Sequence, residues 1–237
     1  MSVAVITGAS KGLGRALAGA LAEDGWDLVL DARTPGALKE AAREIRVHGT
    51  RVTAVPGDVT DPVHRTELVA AAAALGGLDL LVSNASALGA EPLVRLDALA
   101  LDGLRAALET NVVAALGLVQ ESLPLLRAGG AGTVIAVSSD AAAEAYETWG
   151  GYGASKAALD HLAAVLAVEE PGLRVWTVDP GDMQTDLYAA AVPDDGDVRP
   201  DPRSVVPGFL RLLRQRPTSG RYSATSLLGA ASWPGRS

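Results

Sequence analysis

Val3-Ala4-Val5-Ile6-Thr7-Gly8-Ala9-Ser10-Lys11-Gly12-Leu13-Gly14 is the stretch on which the fold turns. Its first five residues are an uncharged, largely β-branched run and read as a strand over 3–7. From Gly12 the pattern becomes amphipathic and predicts a helix over 12–24, stopped by Gly25. The glycines therefore fall at a strand-to-helix junction. There they let backbone approach a pyrophosphate and let the helix pack closely on a sheet. The helix N-terminus adds unpaired N–H groups and a partial positive charge. A plain glycine turn needs no such placement. Gly8, Ser10, Lys11, Gly12, Leu13 and Gly14 are accordingly the first candidate cofactor-binding residues.

The alternation repeats down the chain. Short apolar runs over 26–32, 51–56, 78–83, 133–138 and 173–178 read as further strands. Residues 38–47, 62–75, 96–126 and 152–170 read as helices, followed by a helix over 204–215 and a last strand over 221–226. Strands covered by crossover helices are buried on both faces and read as continuous apolar runs. Repeated β-α-β units on short connections imply a parallel sheet with helices on both faces. The predicted class is α/β, a doubly wound, mostly parallel seven-stranded sheet in one domain over 1–237. Residues 193–202, rich in Pro, Asp and Gly, are expected to form a mobile loop on the substrate side, and 229–237 a ragged tail.

Composition narrows the function. The chain has 237 residues, 49% of them hydrophobic and 20% charged, which suits one sizeable core rather than disorder. A net charge of -8 and a pI near 4.9 disfavour nucleic acid and anionic membrane as partners, though not one local phosphate pocket. The absence of cysteine removes disulfides and thiolate chemistry. His48, His64 and His161 lack ligand-like spacing, so no metal site is expected and each reads as a helix-surface or interface residue. No signal-like segment precedes the first strand, and the longest apolar run, over 68–78, is too short to span a bilayer. The expectation is a soluble cytoplasmic protein.

The second strand ends Leu30-Asp31-Ala32-Arg33-Thr34. At this place an acid suits a ribose 2′-hydroxyl and an arginine suits a 2′-phosphate. Alternation sends Asp31 and Ala32 to opposite faces. Arg33 and Lys11 could be ordinary surface charges. Converging on one corner, with Thr34 beside them, they favour NADP(H) over NAD(H). Asp58 and Val59, at the end of the third strand, could meet the adenine, with Asp58 accepting from its amino group.

Gly151-Tyr152-Gly153-Ala154-Ser155-Lys156 places a phenol and an ammonium four residues apart, hence on one helical face. A neighbouring cation favours the phenolate, so the Tyr152 pKa is expected to fall toward working pH. On its own the spacing also fits a helix surface with a snorkelling lysine.

Taken in order, these motifs resemble those of the short-chain dehydrogenase/reductase family over residues 3–187. The glycine stretch matches TGxxxGxG. Asn84, in Ser83-Asn84-Ala85-Ser86, stands at the NAG turn with Ser86 in place of its glycine. Asn111 matches a mid-helix asparagine, and Ser139 precedes Tyr152 by thirteen residues. Tyr152 and Lys156 match YxxxK. Pro180-Gly181-Asp182-Met183-Gln184-Thr185 matches a PG-x-hydrophobic-x-T segment.

The resemblance implies a single-domain Rossmann fold and an NADPH-dependent oxidoreductase acting as a carbonyl or ketone reductase. Asn111, Ser139, Tyr152 and Lys156 would be catalytic. Tyr152 would pass the proton, Lys156 would lower the tyrosine pKa and hold the nicotinamide ribose, Ser139 would orient the substrate oxygen, and Asn111 would hold a water. Asn84, Ala85, Pro180, Gly181, Met183 and Thr185 would contact the cofactor. Ser138 is assigned to packing and Ser155 to structure. Asp140, Trp149 and Tyr188 are the candidate substrate pocket. Trp149 and Tyr146 could wall it or pack the loop. Asp140 and Asp182 could be solvated or could favour a cationic or polar substrate. Trp149-Gly150-Gly151-Tyr152, Glu169-Glu170-Pro171 and Ser219-Gly220 look like the sepiapterin- and benzil-reductase subgroup. The small-molecule partner would be a ketone or diketone, and the family suggests a homodimer or homotetramer. Two alternatives remain on the same fold. One is a cofactor-sensing regulatory protein, the other a biosynthetic enzyme for imine reduction, cyclisation or dehydration.

Overall fold

A computed structural model describes residues 1–229 of the chain. The predicted tail therefore lies, from residue 230, outside the described residues. Seven strands form one sheet: β1 (Val3–Ile6), β2 (Asp27–Ala32), β3 (Val52–Pro56), β4 (Leu80–Ser83), β5 (Thr133–Val137), β6 (Arg174–Asp179) and β7 (Gly220–Ser223). Their order is β3-β2-β1-β4-β5-β6-β7. All six pairings are parallel, so the sheet is wholly rather than mostly parallel.

Period-2 alternation divides the strands between two cores. Ala4, Ile6, Leu28, Leu30, Leu80, Val82, Ile135, Trp176 and Val178 face one side, where they meet Leu13, Leu17 and Leu21 of α1 (Gly12–Glu23) and Leu38 of α2 (Pro35–Ile45). Val3, Val5, Val29, Leu81, Val134 and Val175 face the other. That side is covered by Leu68 and Ala72 of α3 (Pro62–Leu75), after which α4 (Leu101–Leu108) leads toward Leu118 of α5 (Ala115–Ala128) and Ala163 of α6 (Gly150–Glu169). Burial on both faces is why the strands carry no polar alternation. Local signals set the ends: the Asp61 side chain accepts from Val63 N at the start of α3, Pro62 follows it, and Gly76 closes the helix at φ 115°.

The predicted helix over 96–126 is not continuous. It begins at Leu101 and widens into a π-helical turn over Glu109–Ala114 before α5. That turn carries Asn111, whose buried side chain bonds to groups outside its own helix, and those tertiary bonds offset the poorer geometry of the widened turn. Two short helices have no counterpart in the sequence reading. One is α7 (Asp186–Ala191), capped by Thr185. After α8 (Val206–Gln215) and β7 comes the other, α9 (Ala224–Gly229), which takes the residues from Ala224 onward that the sequence pattern predicts as strand. Residues 193–202 are tied to the body by the Gln184 N–H, which donates to Pro200 O at 2.9 Å. The strand order reverses between β1 and β4, so a crevice opens at the carboxyl ends of these two strands.

Candidate active site

The crevice is a cleft of ≈ 300 Å³. Gly8, Ser10, Lys11, Gly12 and Leu13 form its floor at one end. Gly8 and Gly12 hold left-handed φ values of 64° and 56°, which only glycine adopts freely. Gly14 does not line the cleft but makes the turn possible, since a Cβ there would lie 2.5 Å from Gly8 O and 2.7 Å from Asn84 Nδ2. Asn84 Nδ2 donates to Thr7 O at 2.8 Å, and the Asn84 and Ala85 N–H groups both donate to Thr7 Oγ1 at 2.9 Å. Asn84 and Ala85 thus pin the glycine turn while bordering the cleft. Lys11, the N-cap of α1, makes no side-chain capping bond, so the first N–H groups of that helix are not taken up by a cap. The close backbone approach and these N–H groups fit a pyrophosphate. Gly14→Ala should destabilise the fold by about 1–3 kcal/mol through overpacking. A thermal melt would show a fall of several degrees; an unchanged midpoint would mean the turn tolerates a side chain.

Beyond the glycines the cleft reaches Arg33, Thr34, Asp58 and Val59. Arg33 is exposed and makes no ion pair among the described residues, whereas Lys11 is paired with Asp186 at 2.5 Å. Asp58 Oδ1 accepts from Thr60 N and Oγ1, both at 2.9 Å, which leaves Oδ2 for any adenine contact. Asp31 faces away from Ala32, as alternation requires, and Gly8 N–H donates to its Oδ2 at 3.4 Å. Its other oxygen lies 2.7 Å from His64 Nε2. His64 is only 4% exposed, so its reading as a surface or interface residue is corrected. A first-turn position on α3 turns this ring inward over Gly57, and the sequence holds no sign of it. His48 and His161 are exposed, and no cluster suited to a metal occurs among the described residues.

Toward the other end the cleft is bordered by Ser139, Asp140, Trp149, Tyr152 and Lys156, and by Pro180, Gly181, Met183, Thr185 and Tyr188. Tyr152 and Lys156 sit one turn apart on α6, with Lys156 Nζ 5.6 Å from the phenol ring centroid. Both are buried, and Nζ donates to Val137 O at 2.8 Å. The expected fall in the tyrosine pKa is overturned. Burial pushes the phenol up to about 12, with the Asp140 and Asp179 charges adding to it and the Ser86 hydroxyl opposing. Burial draws Lys156 down to about 8. Desolvation is the largest influence on both groups.

The Asn111 side chain is fully engaged. Its Oδ1 accepts from Ala87 N at 2.8 Å and Ser86 Oγ at 3.1 Å, and its Nδ2 donates to Ala87 O and Ser155 Oγ, both at 2.8 Å. Both amide hydrogens are spent, so this side chain braces the site and has no donor left for a water. Ser155 donates on to Tyr152 O at 2.6 Å, consistent with its structural reading. Ser86 fits without strain, because the non-glycine residues of positive φ among those described are Thr148 and Arg216. Sequence reading had no signal for its partnership with a residue 25 positions away. Ser138 is buried as a packing residue should be, yet it also borders the cleft.

At the mouth, Asp140 accepts from Ser139 Oγ at 3.0 Å, Ala141 N at 2.8 Å and Tyr146 OH at 3.0 Å. Trp149 walls the cleft, standing edge-on to Tyr152 with ring centroids 5.7 Å apart, while Tyr146 serves Asp140 from outside. Tyr188 OH donates to Asp195 at 2.6 Å and lies under the Arg199 guanidinium. Asp182 has Arg199 Nη1 at 3.6 Å. No helix among the described residues is long and apolar enough to cross a membrane.

A family model described as short chain dehydrogenase matches residues 2–196. An uncharacterized oxidoreductase of Saccharomyces cerevisiae is 35% identical over 188 residues, 78% of this chain and 72% of that protein. Glycine betaine reductase of Emericella nidulans is 34% identical over 225 residues, 90% of this chain but 18% of that protein's length. An alcohol dehydrogenase from the archaeon Thermococcus sibiricus, solved with 5-hydroxy-NADP, superposes with a TM-score of 0.85 at 27% identity and covers 94% of this chain and 95% of its own.

Proposed function

The chain belongs to the short-chain dehydrogenase family and is an oxidoreductase, and from that premise we propose that it reduces a small ketone or diketone with NADPH. The observation that carries this reading is the junction of two halves in one cleft: a glycine turn open to a pyrophosphate, and a buried Tyr152–Lys156 pair beside Ser139. When bound, the reduced nicotinamide supplies the hydride.

The protein's own groups do the rest. The phenol, with its raised pKa, is neutral at working pH and donates its proton to the carbonyl oxygen as charge develops there. Ser139 Oγ turns from Asp140 to hydrogen-bond the same oxygen. Lys156 holds its ammonium at the foot of the phenol, stabilises the phenolate left behind and holds the nicotinamide ribose. With the Asn111 side chain spent, its main-chain carbonyl is the group that would hold a returning water. Met183 and Thr185 would contact the carboxamide. Arg33 and Thr34 would hold the 2′-phosphate, in keeping with the 5-hydroxy-NADP carried by the archaeal dehydrogenase. Exposed Leu101, Val113 and Val168, on α4, the π turn and α6, are apolar surface that a homodimer or homotetramer would cover.

Incubation with NADPH or NADH and a panel of ketones tests the proposal. Consumption of NADPH with some member of the panel is expected. Binding of NADPH without turnover of any ketone or diketone would refute a carbonyl reductase.

Asp140 is spoken for by three donors, which favours a positioning role over recognition of substrate charge. Asp140→Asn should lower kcat/KM by about tenfold by weakening the charge-assisted bonds from Ala141 N and Tyr146 OH that fix the turn carrying Ser139, and equally for neutral and ammonium-bearing ketones. A loss confined to the charged substrates would restore the cationic-substrate reading.

A further inference from the structure

We propose that His64, acting through Asp31, sets the dinucleotide preference of this chain: it cancels the acid at the end of β2 and so lets the adenosine corner accept a 2′-phosphate. The inference deepens the NADP(H) reading and rests on it.

Asp31 is 1% exposed and His64 4%, and the 2.7 Å bond between them crosses from β2 to the first turn of α3. The pair lies directly beneath the cofactor turn, since the same carboxylate accepts from Gly8 N and borders the cleft. Gly57 makes room for the ring, because a Cβ there would fall 2.3 Å from His64 Nδ1. A buried ion pair generally adds little stability over an apolar pair of equal volume. Its cost is better explained by what it does to the neighbouring charge.

That charge is finely balanced. Asp31 and Asp58 are two carboxylates on the corner, and Arg33 is one cation. Lys11 is drawn to Asp186, and Arg65 turns away to Glu121 and Val59 O. Without His64 the corner is net negative and repels a phosphate; with His64 protonated it is neutral. The hydrogen bond from Asp31 raises the His64 pKa despite burial, and Glu67, 3.8 Å from Nδ1, and Asp61 raise it further. Burial raises the Asp31 pKa as well, so both shifts favour keeping a proton on the pair.

The test is calorimetric titration of NADP+ and NAD+ into wild type, His64→Gln, Asp31→Asn and the double variant. Glutamine can still donate to Asp31 but carries no charge. His64→Gln is expected to weaken NADP+ about tenfold relative to NAD+, as loss of one nearby unit charge implies. The double variant, which removes the acid as well, should restore the wild-type NADP+/NAD+ ratio. Equal weakening of both nucleotides, no weakening, or a double variant that stays NADP+-poor would overturn the proposal and mark the pair as structural. Should His64→Gln fail to fold, Asp31→Asn alone decides: a ratio at or above wild type supports the proposal, and a lower one overturns it. Failure of the underlying reading is distinct, because the wild type itself would then bind neither dinucleotide or prefer NAD+.

Discussion

Tyr152→Phe should lower kcat for ketone reduction by about 10²–10⁴-fold, the usual worth of a positioned proton donor, while NADPH binds with nearly unchanged affinity. The phenol is buried, and its ring packs against Trp149 whether or not the hydroxyl is present. Phenylalanine therefore keeps the packing and removes only the O–H. Cofactor affinity depends on the glycine turn and the adenosine corner at the other end of the cleft. Rapid-mixing measurement of the hydride step, alongside NADPH titration by fluorescence, separates the two effects. Retained turnover would remove Tyr152 from its role. Parallel loss of turnover and binding would mean that the substitution had disturbed the cleft.

Lys156→Met should trade activity for stability. The folded state draws the lysine from 10.5 down to about 8 because an ammonium is buried. The group binds its proton more weakly folded than unfolded, so it destabilises the fold. That cost is fully present below pH 8, fades as pH rises toward 10.5, and is gone above it. A shift of this size corresponds to about 3 kcal/mol. Methionine fills a similar volume without charge, but it gives up the hydrogen bond to Val137 O, worth about 1 kcal/mol. The net gain of about 2 kcal/mol should raise Tm by about 5 °C at pH 7. The gain should shrink as melts are repeated toward pH 10.5. Activity should fall by about 10²-fold or more, since the phenolate loses its stabilising charge. A variant no more stable than wild type at pH 7 would show that Lys156 is already relieved by groups other than Val137 O.

The Tyr152–Lys156 pair was legible in sequence, but its electrostatics were not. Spacing alone puts Tyr152 and Lys156 on one face of a helix. Whether the cation or the burial governs the phenol depends on how dry the site is, and dryness is set by Trp149, Leu88 and Ala191 closing around it. The same contrast holds for Asn111. Its presence in a helix was readable, but the four bonds that exhaust its amide come from Ser86, Ala87 and Ser155 on other segments. His64 is the plainest case. Its neighbours in sequence, Val63 and Arg65, point outward or to other partners, and nothing local marks the residue between them as buried.

By itself, then, the sequence determined the α/β class, the nucleotide end and the residues that meet in the cleft. Those features rest on local rules: uncharged runs make buried parallel strands, glycines open a strand-to-helix junction, and four residues make one helical turn. The tertiary structure alone decided the pKa directions of Tyr152 and Lys156, the bracing role of Asn111, the allegiance of Asp140 to Ser139 and Tyr146, and the pairing of Asp31 with His64. Each of these depends on desolvation and on partners brought together by the crossing of β1, β2 and β4 with α3 and α6. Energies of that kind follow distance in space, and distance along the chain does not encode it.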